Sequence, residues 1–585
     1  MRNPVRGAVH TAALAAATAV LLAGCTAAPA GHPVAAGTGP HSASASASAT
    51  PGAAQPTAPP PVTLPGYYAQ ALRWQPCAKV FQCARLLVPF DYHRPSWRRF
   101  SLPVIRLAAT DPAQRIGSLV INPGGPGVSG VSYALQARSV VSATVRARFE
   151  VVGFDPRGVG GSVPAVHCLT GSQLDKYFET DDTPVGPAQL ATVVSEGKLF
   201  ASGCEQGSGP LLRYVGTPNA ARDMDVLRAA LGDAKLSYLG KSYGTYLGTW
   251  YAQLFPTHVR ALVLDGALDP GASAFSMNIV QGEGFEVALR SFAADCMTHP
   301  GCPLGNAGLS AGIARLQALI TKATSHPLLS NLGDGRPANG ALVLNGIVSA
   351  LYSKSFWPTL RTALQAAFGG DGTLLVELGD VLYERSSNGT YTNLADANMA
   401  VNCLDRPTPR GLAAWSAAAA AAGKAAPQFG EAIMWGSLPC AYWPVSSPAL
   451  PAIKAAGAPP ILVVGNKRDP ATPYRWAVAL AGDLASGVLL GWNGDGHTAY
   501  LMGSSCVDGI VNRYLLTLAV PRSGTLCPLV RLHAGGAFHN RGRSLVAVDH
   551  RSTAINETRP ARAASGAGRL LALPPEAARR LSSVG

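Results

Sequence analysis

Three polar residues, remote from one another along the chain, are of the types that together make a serine hydroxyl reactive. Ser242 lies in Gly240-Lys241-Ser242-Tyr243-Gly244, Asp469 in Gly465-Asn466-Lys467-Arg468-Asp469-Pro470, and His497 in Gly494-Asp495-Gly496-His497. A serine hydroxyl attacks poorly until a neighbouring base takes its proton. Imidazole is such a base, and a carboxylate on its other ring nitrogen fixes the tautomer and stabilises the imidazolium. One Gly-x-Ser-x-Gly is a weak signal, since a glycine-rich turn would look the same. Its context strengthens it. Leu236–Leu239 reads as a strand before it and Thr245–Tyr251 as a helix after it, with Gly248 letting helix and sheet approach. Among 12 histidines, His497 is favoured because a strand and a glycine-rich loop lead into it. Asp405 and Asp495 are the rival acids. Asp495 is too near His497 in sequence to orient its ring from a separate strand, and Asp405, in Asn402-Cys403-Leu404-Asp405, lies inside the stretch expected to form a cap.

Acyl transfer through such a serine also needs two N–H donors aimed at the developing oxyanion. The amide of Tyr243, directly after the nucleophile, is one candidate. The loop Asn122-Pro123-Gly124-Gly125-Pro126-Gly127 supplies the other, with Gly125 the first choice and Gly124 the second. A plain tight turn is the alternative for that loop.

The elements that must position these groups are short unbroken apolar runs of the kind buried parallel strands show. They are Ser118–Asn122, Glu150–Phe154, Leu236–Leu239, Ala261–Leu264, Ile461–Val464 and Val488–Leu490. Leu86–Phe90 and Leu102–Ile105 read as earlier strands, and their prolines favour a sheet edge. Serine, acid and histidine in that chain order, each just after a strand, predict an α/β-hydrolase fold: a mostly parallel, doubly wound sheet. Between about Pro270 and Pro459 the strands stop and helix-like stretches take over, among them Glu283–Cys296, Ser310–Thr324 and Leu412–Lys424. A large helical cap inserted before the acid-bearing strand accounts for the gap; a separate module is the alternative. The expected divisions are a signal peptide (1–24), a disordered Ala/Ser/Pro-rich tether (25–66), core (67–270), cap (271–458), core again (459–530) and a basic, flexible tail (531–585).

Composition bounds the setting. Arg2 and Arg6 precede an apolar run to Leu22 that, at about 15 residues, is short of the roughly 20 that span a bilayer. It ends in Leu22-Ala23-Gly24-Cys25, which resembles a bacterial lipobox and would put lipid on Cys25; an ordinary secretory signal is the alternative. The other 10 of the 11 cysteines fall as neighbours: Cys77 and Cys83, Cys168 and Cys204, Cys296 and Cys302, Cys403 and Cys440, Cys506 and Cys527. Local disulfides between them would suit an exported protein in an oxidising compartment. Of the net charge of +14, two charges sit in the leader and six beyond residue 530. The modest remainder is a solvated surface, which argues against a nucleic-acid partner.

Jointly, Gly124–Gly127, Asp155-Pro156-Arg157-Gly158-Val159-Gly160-Gly161-Ser162, Gly240–Gly248 and the Asp469 and His497 loops resemble secreted tripeptidyl and prolyl aminopeptidases. The closer likeness is to the tripeptidyl type of GC-rich Gram-positive bacteria, and it covers roughly residues 70–530. Prolyl aminopeptidases usually carry His before Gly-Gly-Pro-Gly, where this chain has Pro123. The resemblance implies a cap-covered serine exopeptidase that acts on free N-termini of peptides through an acyl-enzyme, with no metal or organic cofactor. Asp155 and Arg157 are expected to brace their loop. Such an enzyme must hold a substrate ammonium, and Glu283 and Glu286, one helical turn apart at the cap entrance, are the candidates, with a solvated acidic face the equal alternative. A carboxylesterase or lipase with the same triad, and a non-catalytic surface lipoprotein, are the competing readings.

Overall fold

The computed structural model describes residues 63–449 and 452–529. The expected signal peptide, Cys25, nearly all of the tether and the basic tail lie outside the described residues. The tether was expected to run to residue 66, but a short helix already occupies Leu64–Tyr68, its first turn capped by the Thr63 side chain, and it buries Tyr67.

Among the described residues ten strands form one sheet: β1 (Gln75–Cys77), β2 (Phe81–Pro89), β3 (Arg99–Leu107), β4 (Gly117–Asn122), β5 (Phe149–Phe154), β6 (Leu236–Lys241), β7 (Val259–Asp265), β8 (Ile461–Arg468), β9 (Gly487–Asp495) and β10 (Thr525–Cys527). Their spatial order is β1-β2-β3-β5-β4-β6-β7-β8-β9-β10. The first three strands join antiparallel, and every pairing from β5 to β10 is parallel. Every residue of β4 and β6 is buried. Alternate side chains serve two cores: Val120, Tyr238, Leu262 and Val463 on one face, Ile121, Leu239, Val263 and Leu462 on the other. That two-faced burial explains why these strands read as continuous apolar runs; each such side chain contributes about 1.5–3 kcal/mol.

One expectation fails here. β3 is an interior strand, between β2 and β5, although Pro103 suggested an edge. The carbonyl of Pro103 accepts the amide of Asp155 at 3.2 Å, beyond the last β3–β5 rung at Val104–Phe154. In an antiparallel ladder a residue's N and O face the same neighbour, so the missing N–H falls where pairing has ended.

Among the described residues, eight α-helices, from Ala274–Met297 to Gly430–Gly436, lie between β7 and β8. The ten cysteines are joined as five neighbouring pairs. These include Cys403–Cys440 within the insertion and Cys506–Cys527, which ties the helix Ser505–Thr517 to β10.

Candidate active site

Ser242 follows β6 directly and takes φ 55°, ψ −128°, a strained conformation for a residue with a side chain. The flanking glycines are required. A Cβ at Gly240 would lie 2.4 Å from the carbonyl oxygen of Gly244, and one at Gly244 would lie 2.8 Å from Asn122 Oδ1. The bend is held by Ser242 N–H donating to Asp265 O (2.9 Å) and by Tyr238 O–H donating to Gly244 O (2.8 Å). A Cβ at Gly248 would press on Leu264 and Tyr238, so this glycine does allow the helix Tyr243–Leu254 onto the sheet.

Asp469 and His497 are fully buried at the ends of neighbouring strands, with His497 Nδ1 2.8 Å from Asp469 Oδ1. Three amides fix the carboxylate. Ala471 and Thr472 donate to Oδ1 at 3.0 and 2.8 Å, and Thr498 donates to Oδ2 at 2.9 Å. Thr472 Oγ1 also reaches His497 Nδ1 at 3.2 Å. The loop carrying the histidine is gripped from beneath. Asp265 accepts the amides of Ala499 and Tyr500 at 2.9 and 3.0 Å, and Lys241 Nζ donates to Tyr500 O at 2.9 Å. Burial pushes the Lys241 ammonium below its ordinary range.

Ser242 follows β6 and Gly266 follows β7, the two strands pairing through Lys241–Asp265, and a Cβ at Gly266 would lie 3.4 Å from His497 Cε1. The hydroxyl and the imidazole therefore share one corner of the sheet. No hydrogen bond joins them. His497 Nε2 is buried without a partner among the described residues, and such contacts often tighten only when substrate binds.

The rival acids have other partners. Asp495 accepts from Arg468 Nε (2.5 Å), Ser291 Oγ (2.6 Å) and Lys354 Nζ (3.0 Å). Those hydrogen bonds outweigh burial and hold its carboxyl below the usual range. Asp405 accepts the Thr217 amide at 2.8 Å and the Thr217 hydroxyl, and burial lifts it to about 6.

Of the two glycines proposed for the oxyanion loop, Gly124 already donates its N–H to Asn122 Oδ1 at 3.0 Å. Gly125 has no such partner among the described residues. Tyr243 is the first residue of its helix, where an amide has no intrahelical acceptor. Asp155 and Arg157 are structural, as expected. Asp155 accepts from Ser129 Oγ, Val131 N and Gly161 N, and Arg157 is fully buried on Asp223 and the carbonyls of Pro89, Phe90 and Tyr214.

Gly125 lines a cavity of about 440 Å³ whose walls come mostly from the helices between β7 and β8 and partly from residues 177–183 and Phe200. Phe285, Tyr352, Asn398 and Met399 are among its walls, and its carboxylates are Asp181, Asp182 and Glu431. Glu283 and Glu286, expected to receive an amine, do not line it. Glu283 pairs with Arg475, and Glu286 Oε1 accepts the Gln428 amide at 2.5 Å. Burial, with Asp181 alongside, pushes Asp182 up to about 8, and it forms no ion pair among the described residues.

Residues 426–527, which hold both Asp469 and His497, match the family model described as TAP-like protein. Serine protease Hip1 of Mycobacterium tuberculosis is 38% identical over 477 residues, 78% of this chain and 91% of that one. Carboxylesterase B of the same species is 38% identical over 453 residues, 76% and 86% of the two chains. Tripeptidyl aminopeptidase of Streptomyces coelicolor is 33% identical over 463 residues, 76% and 83%.

Proposed function

The chain belongs to the α/β-hydrolase family that contains these serine proteases and tripeptidyl aminopeptidases, and on that premise we propose that it is an exported serine exopeptidase releasing short peptides, tripeptides above all, from free N-termini. The observation that carries this reading is the buried Asp469–His497 pair beside the strained Ser242 turn, next to a cavity lined by Gly125 of the oxyanion loop and by Tyr352, whose carbonyl accepts the His497 amide.

In the proposed reaction Ser242 Oγ attacks the scissile carbonyl carbon while His497 Nε2 takes its proton. The C–N bond breaks, and the same proton passes to the leaving amine. The acyl-enzyme is then opened by water, with His497 again the base and then the acid. Asp469 holds the imidazole, and the amides of Tyr243 and Gly125 hold the oxyanion. The insertion over residues 271–458 serves as the cap. Asp182, with Asp181 and Glu431 as neighbours, takes the substrate ammonium. A cavity of about 440 Å³ is of a size to hold a few residues between that amine and the serine, which supports a short released peptide. Lipid on Cys25 and the segment from there to residue 62 would tether the enzyme to the outer face of the membrane. The five disulfides fit an oxidising compartment.

The second reading, a carboxylesterase, is favoured by the equal identity to the mycobacterial carboxylesterase B. Hydrolysis of tripeptidyl and aminoacyl arylamides, compared with simple acyl esters, separates the two. The peptidase reading expects tripeptidyl arylamides to turn over fastest. Ester turnover with no arylamide turnover would overturn it.

A further inference from the structure

One helix of the insertion reaches both sides of the candidate oxyanion hole, the Gly125 loop directly and Tyr243 through Thr217. It runs from Leu394 to Asp405. Near its start Asn398 Nδ2 donates to the carbonyl of Pro126 at 2.9 Å, in the loop that carries Gly125. Asn402 Nδ2 donates to Asn398 Oδ1 at 2.9 Å, which leaves the Asn398 amino group to face that loop. Contact there is close, for a Cβ at Gly127 would lie 2.7 Å from Leu394 O and 3.0 Å from Asn398 N. At the other end, Asp405 accepts both the amide and the hydroxyl of Thr217, and Thr217 Oγ1 is hydrogen-bonded to the Tyr243 hydroxyl. Asp405, Thr217 and Tyr243 are all buried. Asn398 and Asp405 stand seven residues apart, about 10 Å along a helix, so a single rod spans the supports of both N–H donors. The Cys403–Cys440 bond and the bonds of Asn393 to Gly158, Gly160 and Val166 fasten that rod.

We infer that this helix is a brace that sets the separation of the Gly125 and Tyr243 amides, with Asn398 and Asp405 as its positioning residues. This rests on the serine-hydrolase reading of Ser242. The same helix lines the cavity through Leu394, Ala395, Asn398 and Met399. A peptide filling the cavity therefore bears on the element that holds the oxyanion donors.

Removing an oxyanion donor outright costs roughly 10²–10³ in kcat, and loosening its support costs less. Asn398→Ala and Asp405→Asn should each lower kcat about tenfold with KM within about twofold. Affinity for a tripeptide aldehyde, whose hemiacetal places an oxyanion in the hole, should fall in parallel with kcat. Phosphonylation of Ser242 by a fluorophosphonate, which needs no peptide specificity, should slow by a similar factor. Asp405→Ala is the severer variant, and thermal midpoints identify any that fails to fold; Asn398→Ala then carries the test alone. Native-like midpoints with unchanged phosphonylation rate and aldehyde affinity would overturn the brace, as would a fall in kcat without a fall in aldehyde affinity. A wild type that is never phosphonylated would instead remove the nucleophile, and the brace with it.

Discussion

The helices between β7 and β8 form two regions that differ in what they pack against. From Phe285 to Leu378 the buried side chains, among them Phe292, Leu316, Ile347 and Leu364, make an apolar core of their own. From Ala400 to Cys440 most of the buried side chains, among them Val401, Trp415 and Leu438, join the cluster that holds Leu247 and Leu264 of the catalytic body, while Phe429 lies in the separate core. The change occurs within one helix, Ala274–Met297. Phe275 and Ile279 lie against the body, whereas Phe285 and Phe292 lie in the separate core. The first region reaches the histidine loop through polar contacts. Tyr352 O accepts the His497 amide at 2.7 Å, and Ser291 and Lys354 hold Asp495. A region with its own core and a polar seam opens at less cost than one sharing the body's core. On the proposed reading one insertion supplies a roof through its first region and a brace through its second.

The largest effect tests whether both regions serve one serine. Ser242→Ala should lower kcat about a millionfold while leaving both cores folded, and pre-steady-state kinetics with calorimetry would show it. Next come the cores themselves. Phe292→Ala and Trp415→Ala each remove a large buried side chain, at about 3–5 kcal/mol. Phe292→Ala should add an earlier unfolding transition and spare hydrolysis of a small acyl ester. Trp415→Ala should lower a single transition and ester turnover together. Identical melting behaviour in the two variants would erase the distinction between roof and brace.

A smaller effect probes the cavity wall. Asp182 keeps its proton up to about pH 8 in the folded chain, whereas an ordinary carboxyl loses it near 4. Between those values the native state holds a proton that the unfolded state lacks, so this group's contribution to stability falls as pH rises. Asp182→Asn should remove that fall, read as a thermal midpoint less sensitive to pH between about 4 and 8. An ammonium favours the ionised carboxylate, so KM for a free-amine peptide should drop as pH approaches 8. The same variant should abolish that drop and raise KM at pH 8 about tenfold. A KM–pH profile shared by wild type and variant would remove Asp182 from the amine site. The smallest effect tests the seam. Lys354 is half exposed, and such pairs contribute at most about 1 kcal/mol. Lys354→Ala should therefore change peptide KM by a few-fold at most and leave ester kcat intact; a collapse of ester turnover would show that the roof is part of the catalytic body.

The sheet and the acid–histidine pair were legible because each lies where a short apolar run ends in a glycine- or proline-rich loop, a local signal. The cysteine pairs were legible for the same reason, as sequence neighbours. What failed depended on partners far along the chain. Glu283 and Glu286 have helical spacing, but that spacing says nothing of which way a 24-residue helix turns in space, and it faces them to Arg475 and the Gln428 amide. Asp181 and Asp182 sit in a connection after β5 with no motif around them. Asp405 was set aside as a catalytic acid, and its pairing with Thr217, 188 positions earlier, has no trace in the local pattern. Lys241 carries no signal of its own, as the variable second residue of Gly-x-Ser-x-Gly, and its grip on the histidine loop depends on Tyr500.

The reading proposed for this chain is that Ser242 cuts beside a cavity whose carboxylates hold an ammonium. Its most direct test is one peptide in two forms, free and N-acetylated, incubated with the enzyme and read by mass spectrometry. The account predicts short N-terminal fragments, chiefly tripeptides, from the free form and an intact acetylated form. Equal cleavage of both, or cuts at internal bonds, would contradict it.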